Sequence, residues 1–203
     1  MLKETVIENT EICKRCGGQC CKKSGCTYLP SNFESMKFEH LKYRLDQGEI
    51  SIVTCFTVDM INNKPFVYPI LSLRARNINR PIIDLMSKKT TCAQLTPTGC
   101  KYPIEDRPKE GAAQIPSKNR LCLNPFPQEY TLGEWKKHQK VLRRLVEHYS
   151  NRPFKQELLS QIDRVKRELA AEIIMTTDKS QLSEETKQLL IPINYMLKGS
   201  LVF

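Results

Sequence analysis

Five of the nine cysteines in this 203-residue chain fall in one run, CKRCGGQCCKKSGC, as Cys13, Cys16, Cys20, Cys21 and Cys26. So many thiols in so short a run leave two ordinary explanations, a metal site or a disulfide staple. The start of the chain, MLKETVIENTEI, is charged and lacks an apolar core of signal-peptide length. A chain of this size can bury a core without the covalent help that small secreted domains need. In a reducing compartment clustered thiols are more often ligands than bridges, and an odd total would leave one thiol over. The expectation is a metal site in a cytoplasmic protein.

Composition narrows the partners. Hydrophobic content of 40% and charged content of 27% are those of an ordinary globular protein. No run approaches the eighteen or so apolar residues of a membrane span, so no membrane partner is expected. The net charge of +10 is spread along the chain, as +2 over residues 1–30, +4 over 31–131 and +4 over 132–203. Nucleic-acid binding proteins concentrate such charge on one face. Only KKHQKVLRR, residues 136–144, comes close, and on a helix those cations wrap around the circumference. With aromatic residues at 7%, stacking platforms for single strands are also poorly supplied, and nucleic acid is disfavoured as a partner.

Periodicity predicts an α+β fold: an irregular cysteine-rich metal-binding core with a small β-hairpin or sheet, followed by two to three C-terminal helices. Two regions are expected, 1–131 carrying the cysteines and 132–203 helical and packed on it. Gly17, Gly18 and Gly25 permit the tight turns a metal knuckle needs. A short helix is predicted from Ser35, with Phe38, Leu41 and Leu45 on one face and Gly48 as its stop. EISIVTCFTV and PFVYPILSL, joined by DMINNK, predict a hairpin. Residues 81–131 are loop-rich, and a metal site is one way to tie such a stretch down.

From Thr131 the pattern turns helical. Thr131 and Glu134 suit a capping box, and Trp135, Leu142, Leu145 and Tyr149 line one stripe. A second helix is predicted from about Pro153, with Phe154, Leu158, Ile162, Val165, Leu169 and Ile173 at helical spacing. A third, shorter one is predicted after Ser183, disrupted near Pro192.

Cys13 and Cys16 form a CxxC pair, a spacing that lets two thiolates converge on one ion from a tight turn. Four thiolates complete one tetrahedral zinc site or one cubane iron–sulfur cluster. Cys92, Cys100 and Cys122 are too dispersed to make a knuckle, and make sense if their loops fold back on the N-terminal cluster. The ninth cysteine, Cys55, reads as a buried strand residue without a ligand role. His40, His138 and His148 lack metal-ligand spacing among themselves. The absence of P-loop, GxGxxG, GxSxG and HExxH motifs argues against a conventional nucleotide or hydrolase site.

CKRCGGQCC, followed downstream by C-x6-GC-x-Y-x4-RP and a later cysteine, resembles the YkgJ-like CxxCxxCC cysteine-cluster family, described as zinc- or iron-chelating domains. The resemblance covers Cys13 to Cys26 and Cys92 to about Phe126, including Arg107–Pro108. It departs from the family form in having three residues between Cys16 and Cys20, and in the late arrival of Cys122. It is distantly similar to the cysteine cluster of flagellin lysine N-methylases, which implies an iron–sulfur alternative.

The expected function is therefore metal binding, zinc or iron–sulfur, through Cys13, Cys16, Cys20, Cys21, Cys26, Cys92, Cys100 and Cys122. One alternative is an iron–sulfur-dependent enzyme that modifies a protein substrate, such as a lysine N-methylase. SLRARNINRP motivates it, since Arg74, Arg76 and Arg80 suit a carboxylate or phosphate ligand. Another alternative is a zinc-stabilised nucleic-acid or protein-docking module, and a fourth is thiol redox sensing.

Overall fold

Alternating β-branched and aromatic residues build the spine of the molecule, a long antiparallel hairpin of β1 (Ile50–Ile61) and β2 (Lys64–Ala75). The register runs from Ile50 opposite Ala75 to Ile61 opposite Lys64. Both strands extend closer to the tip than the sequence pattern suggests, because Asn62 and Asn63 alone make the turn. Their φ values of 51° and 59° are the left-handed pair that a tight two-residue connection demands. The computed structural model describes residues 21, 22, 25–75, 82–87, 91, 92, 94–97, 99–113, 126–175, 182, 186, 187, 190 and 193.

Around the hairpin stand α1 (Phe38–Asp46), the two-residue strands β3 (Leu95–Thr96) and β4 (Gly99–Cys100), α2 (Lys109–Ala112), α3 (Gln128–Lys136), α4 (Gln139–Ser150) and α5 (Phe154–Met175). Among the described residues the fold is thus α+β, with five α-helices and two small antiparallel sheets. The cysteine-rich core expected from the sequence falls partly outside the described residues, as do Cys13, Cys16, Cys20, Cys122, Arg76 and Arg80.

The base of the hairpin is widened on both edges. Along β1, Ile52 donates to the Ile82 carbonyl at 3.1 Å and accepts from Asp84 N–H at 3.1 Å, while Thr54 N–H donates to Leu85 O at 3.0 Å. Along β2, Tyr28 N–H donates to Leu73 O at 2.8 Å and Ala75 N–H to Cys26 O at 3.0 Å. The segment carrying Cys26 is thereby laid alongside β2 as a further short strand. Pairing both edges removes the open backbone groups that a lone hairpin would present. Towards the tip the ribbon is bare, with Val58, Met60 and Ile61 exposed.

One continuous apolar core joins these parts. It holds Leu41 and Leu45 of α1, Ile50 and Ile52 of β1, Leu71 and Leu73 of β2, Trp135 of α3, Leu142 and Leu145 of α4, and Leu158, Ile162 and Val165 of α5. In α5 the buried residues Phe154, Leu158, Ile162, Val165 and Leu169 recur every three or four positions, the stripe expected of an amphipathic helix.

Two local expectations are corrected. The helix expected from Ser35 begins at Phe38, with Lys37 at its N-cap; the Ser35 hydroxyl instead accepts from Lys37 N–H at 3.2 Å. The single helix expected from Thr131 is two helices that break between Lys136 and Gln139, and the first begins at Gln128 after Pro127. Thr131 therefore lies inside α3. Its hydroxyl is used in a tertiary contact with Glu110 at 3.2 Å, so it does not cap a helix. Of the third predicted helix, Thr186, Lys187, Leu190 and Ile193 are helical, and the rest lies outside the described residues. Among the described residues no helix is long and apolar enough to cross a membrane.

Candidate functional site

Three chain segments converge on one thiol. Gly25, at φ 57°, takes the left-handed conformation that turns the chain into the strand-like stretch of Cys26 to Tyr28. Cys92 approaches from the other side, and its N–H donates to the Cys21 carbonyl at 2.7 Å. One residue earlier, the Thr91 hydroxyl donates to Lys22 O at 3.4 Å. These contacts bring the Cys92 sulfur to the thiols of Cys21 and Cys26, residues separated from it by more than sixty positions in sequence.

Cys92 is buried, while Cys21 and Cys26 are half-buried. Hydrogen bonds from the Cys21 thiol, then from the Cys26 thiol, hold the Cys92 thiol far below the ordinary cysteine range. Loss of water opposes this, and the backbone N–H groups of Gln94 and Cys26 add to it. Sulfur that accepts from two thiols and two amides is a site built for negative charge. Cys21, Cys26, Cys55, Cys92 and Cys100 are all outside disulfides.

The third wall is α2. A Cβ placed on Gly111 would lie 2.6 Å from the Cys26 sulfur and 3.3 Å from its Cβ, so only glycine lets α2 pack this closely on the thiol. Its neighbour Glu110 fastens the same region. One carboxylate oxygen accepts from Thr27 N–H at 3.1 Å and the other from the Thr131 hydroxyl at 3.2 Å, linking the Cys26 strand to α3. The start of α2 is held by Asn32, whose side-chain oxygen accepts from Lys109 N–H at 3.4 Å and Leu29 N–H at 2.8 Å.

A polar group adjoins the thiols. Burial first, and the Glu49 carboxylate second, push the Tyr102 phenol up to about 12. Tyr28 is raised as well, by burial and then by Tyr102. Arg44 acts on both phenols in the opposite sense and stands 3.8 Å from Glu49. Cys92 also acts electrostatically on both phenols, raising them further.

Cys100 lies on β4 opposite Leu95, and Lys101 N–H returns to Gln94 O at 2.8 Å. Cys55 is half-buried in β1, its thiol pushed up by burial and drawn down by Arg74. Arg74 thus acts on the Cys55 thiol, which the Glu110 carboxylate pushes in the opposite sense. Arg76 and Arg80, the other two arginines expected to suit a carboxylate or phosphate, lie outside the described residues. Glu110, Gly111, Gln94 and Tyr28 were not singled out from the sequence, and Tyr102 entered only as the tyrosine of the quoted motif. The only hint was a glycine inside the short run KEGA.

Among the described residues no group of three or more His, Cys, Asp or Glu side chains is set to hold a metal ion as it stands. The three thiols are arranged as a hydrogen-bonded set around Cys92. No family model, no curated protein and no solved structure matches this chain. The likeness of its cysteine runs to the YkgJ-like pattern therefore rests on the residues quoted for it.

Proposed function

We propose that the chain binds a metal, as zinc or an iron–sulfur cluster, through a thiolate site to which Cys21, Cys26 and Cys92 contribute. The observation that carries this reading is the meeting of those three sulfurs from two distant parts of the sequence. A hydrogen-bonded thiol set becomes a ligand set when its protons leave, and metal binding to cysteine releases protons in just this way. The Gln94 and Cys26 amides that already point at Cys92 would serve a bound thiolate equally well, because donors aimed at ligand sulfur tune and fix it. The remaining donors of a four-thiolate site are sought among Cys13, Cys16, Cys20, Cys100 and Cys122. Soft sulfur donors suit zinc and iron–sulfur clusters alike.

Anaerobic purification followed by metal and acid-labile sulfide analysis tests this reading. Stoichiometric zinc in a colourless protein, or iron with sulfide and broad absorption near 400 nm, supports it. Cys21→Ser, Cys26→Ser and Cys92→Ser should each lower metal content, while Cys55→Ser should not. A reduced, folded protein with no bound metal and no affinity for added zinc or iron overturns the proposal.

A further inference from the structure

We infer that Cys21 and Cys92 form a peroxide-oxidisable dithiol, so that the thiol centre is also a redox switch. The geometry selects this pair. Cys92 N–H to Cys21 O is a 2.7 Å hydrogen bond, and the Thr91 hydroxyl reaches the next carbonyl, Lys22 O, at 3.4 Å. Two such bonds hold residues 21–22 and 91–92 side by side, and a disulfide requires close backbone approach of this kind, about 4.4–6.8 Å between Cα atoms. The Cys21 thiol already touches the Cys92 sulfur.

Cys26 also touches that sulfur but is committed elsewhere. Its carbonyl accepts from Ala75 N–H at 3.0 Å, and its own sulfur is seated against Gly111. Bridging Cys26 to Cys92 would require leaving that seat. The Cys21 carbonyl, by contrast, is paired with the backbone of Cys92 itself, at 2.7 Å.

The chemistry balances with hydrogen peroxide as oxidant. Cys21, half-buried where Cys92 is buried, meets the peroxide. As the Cys21 thiol passes its proton along its hydrogen bond to the Cys92 sulfur, the Cys21 sulfur attacks one peroxide oxygen, the O–O bond breaks, and Cys21 sulfenic acid and hydroxide result. The Cys92 sulfur then attacks the sulfenyl sulfur, the S–S bond forms, and a second hydroxide leaves. The two thiol protons convert both hydroxides to water. The sulfurs lose two electrons and the peroxide oxygens gain them. Oxidation would remove two thiolates from any ion bound at this centre and release it. That release rests on the metal-site reading, whereas the disulfide does not.

The test uses the full chain, stripped of metal under reducing conditions and then treated with stoichiometric hydrogen peroxide. Tryptic cleavage places Cys21 in residues 16–22, Cys26 in 24–37, and Cys92 in 90–101, so the two pairings give different cross-linked peptides. The expected product joins 16–22 to 90–101, persists in Cys20→Ser, and is lost in Cys21→Ser and in Cys92→Ser. No cross-link, a 24–37 to 90–101 cross-link, or a bond that survives Cys21→Ser overturns the inference. Metal analysis of the reduced protein is read separately. Bound metal without the cross-link leaves the thiolate site standing alone, and the cross-link without bound metal leaves the switch standing alone.

Discussion

The side-chain amide of Gln139 pairs with both backbone polar groups of Leu71. Its oxygen accepts from Leu71 N–H at 2.8 Å, and its nitrogen donates to Leu71 O at 2.9 Å. The same nitrogen donates to Trp135 O at 2.9 Å, where α3 gives way to α4. One glutamine thus stands in for a missing strand on the β2 edge and fastens the corner between two helices to it. Leu71 is fully buried, so its amide and carbonyl need these partners.

Gln139→Leu should therefore cost about 2–4 kcal/mol, because two buried backbone groups lose their partners together. Equilibrium urea unfolding measures it as a lower midpoint at unchanged slope. Gln139→Glu keeps an acceptor for Leu71 N–H but turns its other oxygen on two carbonyls. It should be at least as destabilising at pH 7, and its deficit should shrink as pH falls below about 4, when the carboxyl can donate. A Leu variant with wild-type stability would show that water replaces the amide at no cost.

Trp135, the only tryptophan, is fully buried and donates from Nε1 to Tyr28 O at 2.8 Å. Trp135→Phe leaves that carbonyl without its donor and opens space beside Phe33, whose ring lies 6.3 Å away. The expected cost is about 2–3 kcal/mol, read by circular dichroism during thermal unfolding. Tyr28 follows Cys26 by two residues, so Trp135 emission should change when the thiols bind metal or are oxidised. Constant emission through both events would mean that the Tyr28 carbonyl does not move with the thiols.

The parts of the fold governed by local pattern were legible in the sequence. The β1–β2 hairpin followed from β-branched alternation, and α5 from the Phe154-to-Leu169 stripe, because each element's period is written in its own residues. The break between α3 and α4 was not legible. The contact that fastens it is tertiary: Gln139, the first residue of α4, is taken by an edge of β2. The candidate site divides in the same way. Thiol density marked Cys21, Cys26 and Cys92, whereas Gly111 and Glu110 act through contacts with Cys26 and Thr27, more than eighty residues away in sequence. No periodicity records such pairings.

Gly111→Ala tests the packing of α2 on the thiol. Alanine is the better helix former by about 1 kcal/mol, yet its Cβ would sit 2.6 Å from the Cys26 sulfur. That sulfur is a side-chain end and can rotate away, so the fold should survive and the Cys26 thiol should move. The expected outcome is near-wild-type melting with altered thiol reactivity towards an aromatic disulfide reagent and reduced metal content. Unchanged reactivity and metal content would mean that Cys26 adapts without leaving Cys92.

Tyr149 couples the ends of α1 and α4. Its one hydroxyl proton is shared between the Asp46 carboxylate, the nearer acceptor, and Lys42 O at 3.1 Å. The Lys42 ammonium first, and the Tyr149 hydroxyl second, hold the exposed Asp46 carboxyl below its ordinary value. A carboxyl depressed in the folded state contributes stability above its unfolded pKa of about 3.9, and that contribution is lost as pH falls through the folded value. Burial and Asp46 raise the Tyr149 phenol, so its own contribution is present below about pH 10 and fades as the phenol ionises. Tyr149→Phe should lower the melting temperature most near pH 6, with the gap closing below pH 4. Melting curves whose separation is the same at pH 3 and pH 6 would sink the assignment.

A Cys21–Cys92 bond would close a loop of some seventy residues containing α1 and the whole hairpin. Closing a loop of that size removes conformational freedom mainly from the unfolded chain, and should stabilise the metal-free protein by about 4 kcal/mol. Oxidised, metal-free protein should unfold at higher urea than the reduced, metal-free form. Its slope should be smaller, because the cross-linked unfolded state exposes less surface. Reduction with dithiothreitol should erase the difference, and Cys21→Ser should show none. Equal midpoints for the oxidised and reduced forms would mean that the bond strains the native contact between residues 21–22 and 91–92 by as much as it restricts the unfolded chain.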